Sequence, residues 1–167
     1  MPQVPFKQLP DDARLWIFGA SDATTRGALT GDASEALLRL VDDYLAGWQA
    51  HGEPLMSARD WREGRFLAIG VDQRAAGASG CSIDALYRSL EQLERALGAS
   101  LLAGGRIFYR DAAGQVQCVD RATYVARVRD GVVGADTAVF DTTITNAGEY
   151  RARFERPASS SWHARLA

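Results

Sequence analysis

The sequence predicts an α+β fold in which two helices cover one face of an antiparallel sheet. Short apolar runs with β-branched or aromatic residues at positions 14–20 and 66–71 are typical of buried strands. Apolar residues recur at three- and four-residue spacing over positions 32–48 and 83–97, which indicates amphipathic helices. The chain has 167 residues, of which 47% are hydrophobic, so it can bury a core without disulfides or metal.

The N-terminal part begins with an extended segment and continues into a strand and a helix. Positions 1–12 contain three of the five prolines and are predicted to be an extended lead-in. A polar loop follows the strand at 14–20, and Asp32 with Glu35 matches a capping box that starts the helix. The apolar face of this helix consists of Leu37, Leu40, Val41, Tyr44, Leu45 and Trp48. His51 ends the helix, where the dipole favours an imidazolium, so this histidine needs no catalytic role.

The next elements complete a recurring order of strands and helices. Positions 54–62 alternate loosely and are joined to the strand at 66–71 by a Glu-Gly turn, which predicts a hairpin. After the helix at 83–97, the apolar run at 106–110 is the next strand. The order βαββαβ is the split-βαβ pattern of ferredoxin-like sandwiches, and we assign positions 13–104 to this sandwich.

A turn with little side-chain bulk precedes the helix at 83–97. Its backbone N–H groups can approach a ligand closely, and the N-terminus of the helix favours a phosphate or a carboxylate. We therefore predict a site for an anion or another small ligand here, although such a segment is more often only a tight turn. The predicted ligand-binding residues are Gly77, Ser79, Gly80, Ser82 and Asp84.

Cys81, in the same turn, leads to an alternative prediction, a cysteine-dependent enzyme. A thiol at a helix N-terminus is a candidate nucleophile, and His163 or His51 is the candidate base. Asp72 or Asp84 would orient that base. These residues lie far apart in the sequence, and free cysteine is often a small buried hydrophobe. We therefore rank this enzyme below a binding protein.

Other carboxylates and cysteines give weaker signals. Asp72, Asp84 and Asp111 would suit a carboxylate-centred or metal-assisted hydrolase, but local structure explains aspartates at turns and helix caps. Cys81 and Cys118 lack the CxxC spacing and the histidine cluster of zinc sites. We predict no metal ligand and no cofactor.

The segment after the sandwich has a different pattern. Positions 109–119 predict a hairpin, Asp120 caps a short helix, and positions 131–140 read Gly-x-Val-x-x-Asp-Thr-x-Val-Phe. This order resembles small bacterial modules related to GYF domains, whose eukaryotic members bind proline-rich peptides. The resemblance implies a GYF-like hairpin and helix appendage at positions 105–145, with a protein or peptide partner. Positions 114–116 read Gly-Gln-Val, where such modules usually carry Gly-Pro-Phe or Gly-Tyr-Phe.

The whole chain is also similar to a group of small uncharacterised bacterial proteins, through positions 78–84 and 161–163. Some members of that group carry an ABC-transporter ATPase label. An ATPase P-loop needs a lysine that reaches the terminal phosphates, and Lys7 is the only lysine of this chain. We therefore predict that the protein is not an ATPase.

The last segment, positions 146–167, is predicted to be a tail that docks on the body of the protein. Trp162 lies near the end of the chain, where its exposure to water would be costly. Docking of Trp162 would hold His163 in a fixed position. We expect the tail to pack against the body and not to supply a catalytic base.

Charge and composition limit the partners and the location. The chain has 19 basic and 21 acidic residues without a block of one sign, which argues against nucleic acid. No apolar run approaches the roughly 20 residues that span a bilayer, and positions 1–12 lack the pattern of a secretory signal. We expect a cytoplasmic protein without a membrane partner. The leading prediction is a small binding or interaction protein whose partner is an anionic small molecule, a protein or a peptide.

Overall fold

A computed structural model describes residues 3–166, which form a mixed α+β fold with four α-helices and eleven β-strands. The helices are α1 (Gly31–Ala46), α2 (Gly80–Leu97), α3 (Arg121–Arg129) and α4 (Ala147–Arg153). The strands are β1 (Arg14–Gly19), β2 (Ser21–Asp22), β3 (Gln49–Ala50), β4 (Glu53–Pro54), β5 (Met56–Arg62), β6 (Phe66–Asp72), β7 (Ala99–Ser100), β8 (Arg106–Arg110), β9 (Val116–Asp120), β10 (Ala138–Phe140) and β11 (Glu155–Pro157). Short 3₁₀-helices occupy Phe6–Gln8, Ala158–Ser160 and Trp162–Leu166. The sheets are antiparallel, and the predicted α+β class is confirmed.

The first sheet has three strands in the order β1-β6-β5. In the central strand, Ile69 pairs with Trp16 of β1 on one side and with Arg59 of β5 on the other. All seven residues of β6 are buried. One face of the sheet meets α1 and α2, and the other meets the C-terminal part of the chain. A strand covered on both faces needs a continuous apolar run, which is the pattern at positions 66–71.

Helices α1 and α2 form one layer on this sheet. Leu37 and Leu45 of α1 join Leu86 and Leu90 of α2 in a single buried cluster with Ile69. These leucines follow the three- and four-residue spacing of the sequence, since that spacing places them on one side of each helix. Within residues 3–166, no helix has both the length and the apolar character needed to cross a membrane.

Both ends of α1 differ from the prediction. Thr30 is the N-cap, because its Oγ1 accepts the backbone N–H of Ala33 at 3.2 Å, and Asp32 lies in the first turn. The helix ends at Ala46. The prediction that His51 ends the helix is wrong: His51 lies between β3 and β4 with a φ of 53°. This left-handed conformation, shared with the following glycine, suits a two-residue hairpin turn.

The second sheet has four strands in the order β11-β10-β8-β9. The prediction that residues 106–110 join the first sheet is wrong, because β8 pairs with β9 in a hairpin and with β10 at its other edge. Near the end of β1, the chain forms a two-residue pairing instead. There β2 lies antiparallel to β7, which directly follows α2.

The second sheet and α4 cover the face of the first sheet that is opposite to α1 and α2. The ring of Phe66 lies 5.0 Å from Phe108, 4.8 Å from Phe140 and 5.0 Å from Phe154, measured between centroids. Tyr150 of α4 is fully buried in the same cluster. Aromatic rings at these separations pack edge to face or stacked, so Phe66 joins the two layers.

Gly19, at the end of β1, is a point of close approach between the layers. A Cβ atom built at this position would overlap the ring of Phe108. Glycine is needed here because a larger residue would displace that ring.

Residues 146–166, predicted as a docking tail, contribute α4 and β11. β11 pairs with β10 and so extends the second sheet. The 3₁₀-helix Trp162–Leu166 follows and packs beside α3 through Trp162 and Leu166. The end of the described chain is thus part of the layer that the second sheet and α4 form, which we call the C-terminal layer.

Candidate functional site

The predicted ligand-binding turn forms a closed helix cap. The N–H of Ser82 donates to Ser79 Oγ at 3.2 Å, and the N–H of Ser79 donates to Ser82 Oγ at 2.8 Å. The hydroxyl of Ser82 also donates to the carbonyl of Ser79 at 2.8 Å. Gly77, Gly80 and Asp84 are exposed around this cap. The two serines stabilise α2 by satisfying each other, and they leave few polar groups for a ligand.

Cys81 lies at the second residue of α2, as predicted, and is exposed. His163 is buried beside Tyr124 of α3, and its polar contact is with Ser161. His51 is exposed in the turn between β3 and β4. Within residues 3–166, no hydrogen bond joins Cys81 to either histidine, so the geometry does not bring the predicted nucleophile and base together.

The candidate carboxylates are engaged in separate local interactions. Asp72 Oδ2 binds Arg74 Nη2 at 2.6 Å, and this hydrogen bond lowers the pKa of the carboxyl. Asp111 accepts backbone N–H groups in the turn of the β8-β9 hairpin. Asp84 is exposed on α2. In the described part of the chain, no group of three histidine, cysteine or acidic side chains is placed to hold a metal ion.

His163 has the most unusual environment of the predicted site residues. The residue is 1% exposed, and its Nδ1 lies 2.7 Å from Ser161 Oγ. The imidazole stacks on Trp162 and lies beside Tyr124, with ring centroids 4.0 and 5.9 Å away. Its other nitrogen, Nε2, is buried and has no hydrogen-bond partner within residues 3–166. Buried polar atoms rarely lack a hydrogen-bond partner, so Nε2 is an unusual feature of this structure.

His163 lines a cavity of about 260 Å³ between α3, the loop after α3 and the C-terminal 3₁₀-helices. The buried floor consists of Tyr124, Val133, Ala158 and His163. The exposed rim consists of Gly134, Ala135, Ser159 and Ala164. We call this cavity the Tyr124–His163 pocket. None of its lining residues is aspartate, glutamate, lysine or arginine, so the pocket is an apolar space with a few neutral polar groups.

Burial determines the charge state of the two polar rings. Burial lowers the pKa of His163 to about 4, and Asp141 opposes this change only in part. Burial also raises the pKa of the Tyr124 hydroxyl. Both rings are therefore neutral at neutral pH, and each offers a hydrogen-bonding atom without a charge.

Trp162 fixes the segment that carries His163. The indole Nε1–H donates to Asp141 Oδ1 at 3.1 Å, and the same carboxyl binds Arg156 at 3.0 Å through Oδ2. Burial alone would raise the pKa of Asp141, but hydrogen bonds led by that of Thr143 lower it. Asp141 therefore remains an anion that can hold the indole in place.

Comparison with family models, curated proteins and solved structures finds no match for this chain. The sequence had singled out His163 through its neighbour Trp162, but it gave no sign of Tyr124 or Val133 as partners. A serine two residues before a histidine was the one local signal for the Ser161–His163 contact. The wall formed by residues 124–135 lies 28 to 39 positions away from His163 in the sequence, and tertiary packing brings it beside the histidine.

Proposed function

We propose that the protein is a binding protein, not an enzyme, and that the Tyr124–His163 pocket holds its ligand. The observation that carries this proposal is the apolar cavity lined by His163, a residue whose buried Nε2 has no hydrogen-bond partner within residues 3–166. An unsatisfied buried polar atom costs about 1–3 kcal/mol, and a ligand that supplies the missing hydrogen bond would recover much of this energy. An apolar pocket with a few converging polar groups is a common form of ligand site.

The lining indicates the class of ligand. It has no charged side chain, so a neutral ligand is favoured over an ion. The volume of about 260 Å³ is at the small end for ligand cavities and suits one ring or one large apolar side chain. The ligand group is therefore small, neutral and mainly apolar, with one hydroxyl, carbonyl or amide for His163. Such a group can belong to a small molecule or to a peptide.

The resemblance of residues 105–145 to GYF-like modules favours a peptide, and not a small molecule, as the ligand that carries this group. The hairpin β8-β9, helix α3 and strand β10 follow in the order on which the GYF-like resemblance of residues 105–145 is based. We further propose that residues 13–104 are a ferredoxin-like sandwich with its fourth strand reduced to β7, which the antiparallel pairing of β2 with β7 supports. Membership of the group of small bacterial proteins and a cytoplasmic location remain predictions.

Histidine NMR can test the pocket directly, because the chain has only two histidines. Phenol, benzamide and a proline-rich decapeptide would each be titrated into the protein while the imidazole resonances are followed. We expect a saturable shift of the His163 Nε2 signal with at least one probe. The variant His163→Phe keeps an aromatic ring but loses the hydrogen bond, so it should weaken that probe about fivefold.

The exposed His51 supplies the matched control, since His51→Gln should leave both the shift and the affinity unchanged. Saturable binding of the decapeptide alone would identify a peptide partner, and binding of phenol or benzamide alone would identify a small molecule. If no probe moves the His163 signal, or if His163→Phe binds every probe with unchanged affinity, the proposed function is wrong.

A further inference from the structure

A second region, around the loop between β2 and α1, contains several arginines that form no ion pair with the described residues 3–166. A cavity of about 320 Å³ is lined by Arg26, Arg95 and Arg106, and a cavity of about 460 Å³ is lined by Arg26 and Arg65. Arg26 belongs to both walls, so the two cavities are neighbours. Within residues 3–166, none of these four arginines forms an ion pair.

Arg65 gives this region a buried positive charge. The residue is 4% exposed. Its Nη1 donates to Ser21 Oγ at 3.1 Å and to the Arg26 carbonyl at 3.0 Å, and its Nη2 donates to the Val116 carbonyl at 3.0 Å. These acceptors are neutral, and burial lowers the pKa of the guanidinium. A buried cation that meets only neutral oxygens favours an anion in the adjoining cavity.

Each acidic residue in the walls has at least one carboxylate oxygen that accepts a hydrogen bond from a group other than these four arginines. Asp22 accepts the backbone N–H groups of residues 24 and 25, and Glu94 accepts those of residues 101 and 102. Glu63 binds Arg110 at 2.7 Å. Asp120 acts on Arg26 and Arg106 only through longer-range attraction. The N–H donors of the four arginines therefore have no carboxylate acceptor inside the described protein.

We propose that these two cavities form one cleft that binds a small ligand with two or more phosphate or carboxylate groups. Planar guanidinium groups bind both kinds of oxyanion with paired hydrogen bonds. Arg26 stands between the cavities, so that one anionic group lies toward Arg65 and another toward Arg95 and Arg106. This site is separate from the Tyr124–His163 pocket, and either can exist without the other.

Calorimetric titration of the intact chain with pyrophosphate, ADP, citrate and orthophosphate tests this cleft. We expect at least one of the three multivalent anions to bind more tightly than orthophosphate. The affinity should fall as salt is added, because the contacts are electrostatic. Arg26→Gln should weaken the binding of that ligand about tenfold, because it removes a charged hydrogen-bond donor from the wall that the two cavities share. Arg95→Gln should act in the same direction.

The exposed Arg39 on α1, which also lacks an ion pair among residues 3–166, provides the control variant Arg39→Gln with no expected change. Tightest binding of ADP would indicate that the ligand is a nucleotide. Tightest binding of pyrophosphate would indicate an inorganic phosphate, and tightest binding of citrate would indicate a polycarboxylate. Each of these three results supports the proposed cleft. If none of the three binds more tightly than orthophosphate, or if Arg26→Gln and Arg39→Gln have equal effects, the proposal is overturned.

Discussion

The imidazole of His163 shows how one residue can link stability to a binding site. Its neutral form is favoured because the ring is buried against Trp162 and Tyr124, with little water to solvate a charge. The same burial leaves Nε2 without a hydrogen-bond partner, and this unsatisfied atom lowers the stability of the folded state. Because the folded ring protonates only near pH 4, acid should weaken the fold.

We predict that His163 makes the free energy of unfolding depend on pH between about 6.5 and 4. In this window the unfolded chain binds a proton that the folded chain excludes. The stabilisation from neutral His163 is therefore complete above about pH 6.5 and is lost as the pH falls toward 4, by about 3 kcal/mol. Urea unfolding of the wild type and of His163→Phe at several pH values measures this contribution.

Carboxylates also titrate in this pH window. The contribution of His163 is therefore the difference between the pH dependence of the unfolding free energy in the wild type and that in His163→Phe. The variant His51→Gln, which changes an exposed histidine, should keep the pH dependence of the wild type. Equal pH dependence in wild type and His163→Phe would show that the ring is not held in its neutral form.

At the scale of elements, spacing predicted the helices well and sheet partners poorly. Leu86, Leu90 and Leu93 of α2 are buried, as their spacing requires. In β8, the consecutive residues 107–109 are all buried, which shows that both faces of the strand are covered. This burial pattern does not predict which strands lie beside β8. Strands pair through backbone N–H and C=O groups, which nearly all residue types share, so the side chains do not identify the partner strands. The pocket at His163 escaped prediction for a related reason, since its walls meet only through tertiary packing.

We predict that Gly19→Ala destabilises the protein by about 1–3 kcal/mol, a usual cost for an added methyl group in a packed core. The added Cβ would overlap the ring of Phe108 and push the two layers apart. Gly31→Ala is the matched control, because a Cβ there meets no atom within 4 Å. Chemical denaturation of both variants measures the difference, and equal stability of the two would contradict the close contact at Gly19.

At the scale of the whole molecule, the first sheet is shared by two layers that cover its opposite faces. Phe66 contacts Phe108, Phe140 and Phe154, so the C-terminal layer cannot separate without exposing this aromatic cluster. The sequence predicted a helical layer from its periodicity, but it could not predict that α4 would complete the opposite layer. The seven residues of α4 are too few to form a stable isolated helix, and their packing comes from the rest of the chain.

We predict that the chain unfolds in one cooperative transition. Far-UV circular dichroism should report the same midpoint as the fluorescence of Trp162, isolated by replacing Trp16, Trp48 and Trp61 with phenylalanine. Phe66→Ala should lower stability by about 3–5 kcal/mol in both signals, because it removes the ring between the layers. Met56→Ala, at a residue with 38% exposure, should cost much less. Separate midpoints for the two signals would contradict this prediction.

The contact between Gly19 and Phe108 also has an evolutionary consequence. The ring of Phe108 fills the space that a side chain at position 19 would need. A larger residue at position 19 would therefore be tolerated only with a smaller side chain at position 108. In related chains the two positions should therefore covary, although 89 residues separate them in the sequence. Such a covarying pair would identify other members of this lineage even after most of the surface has diverged.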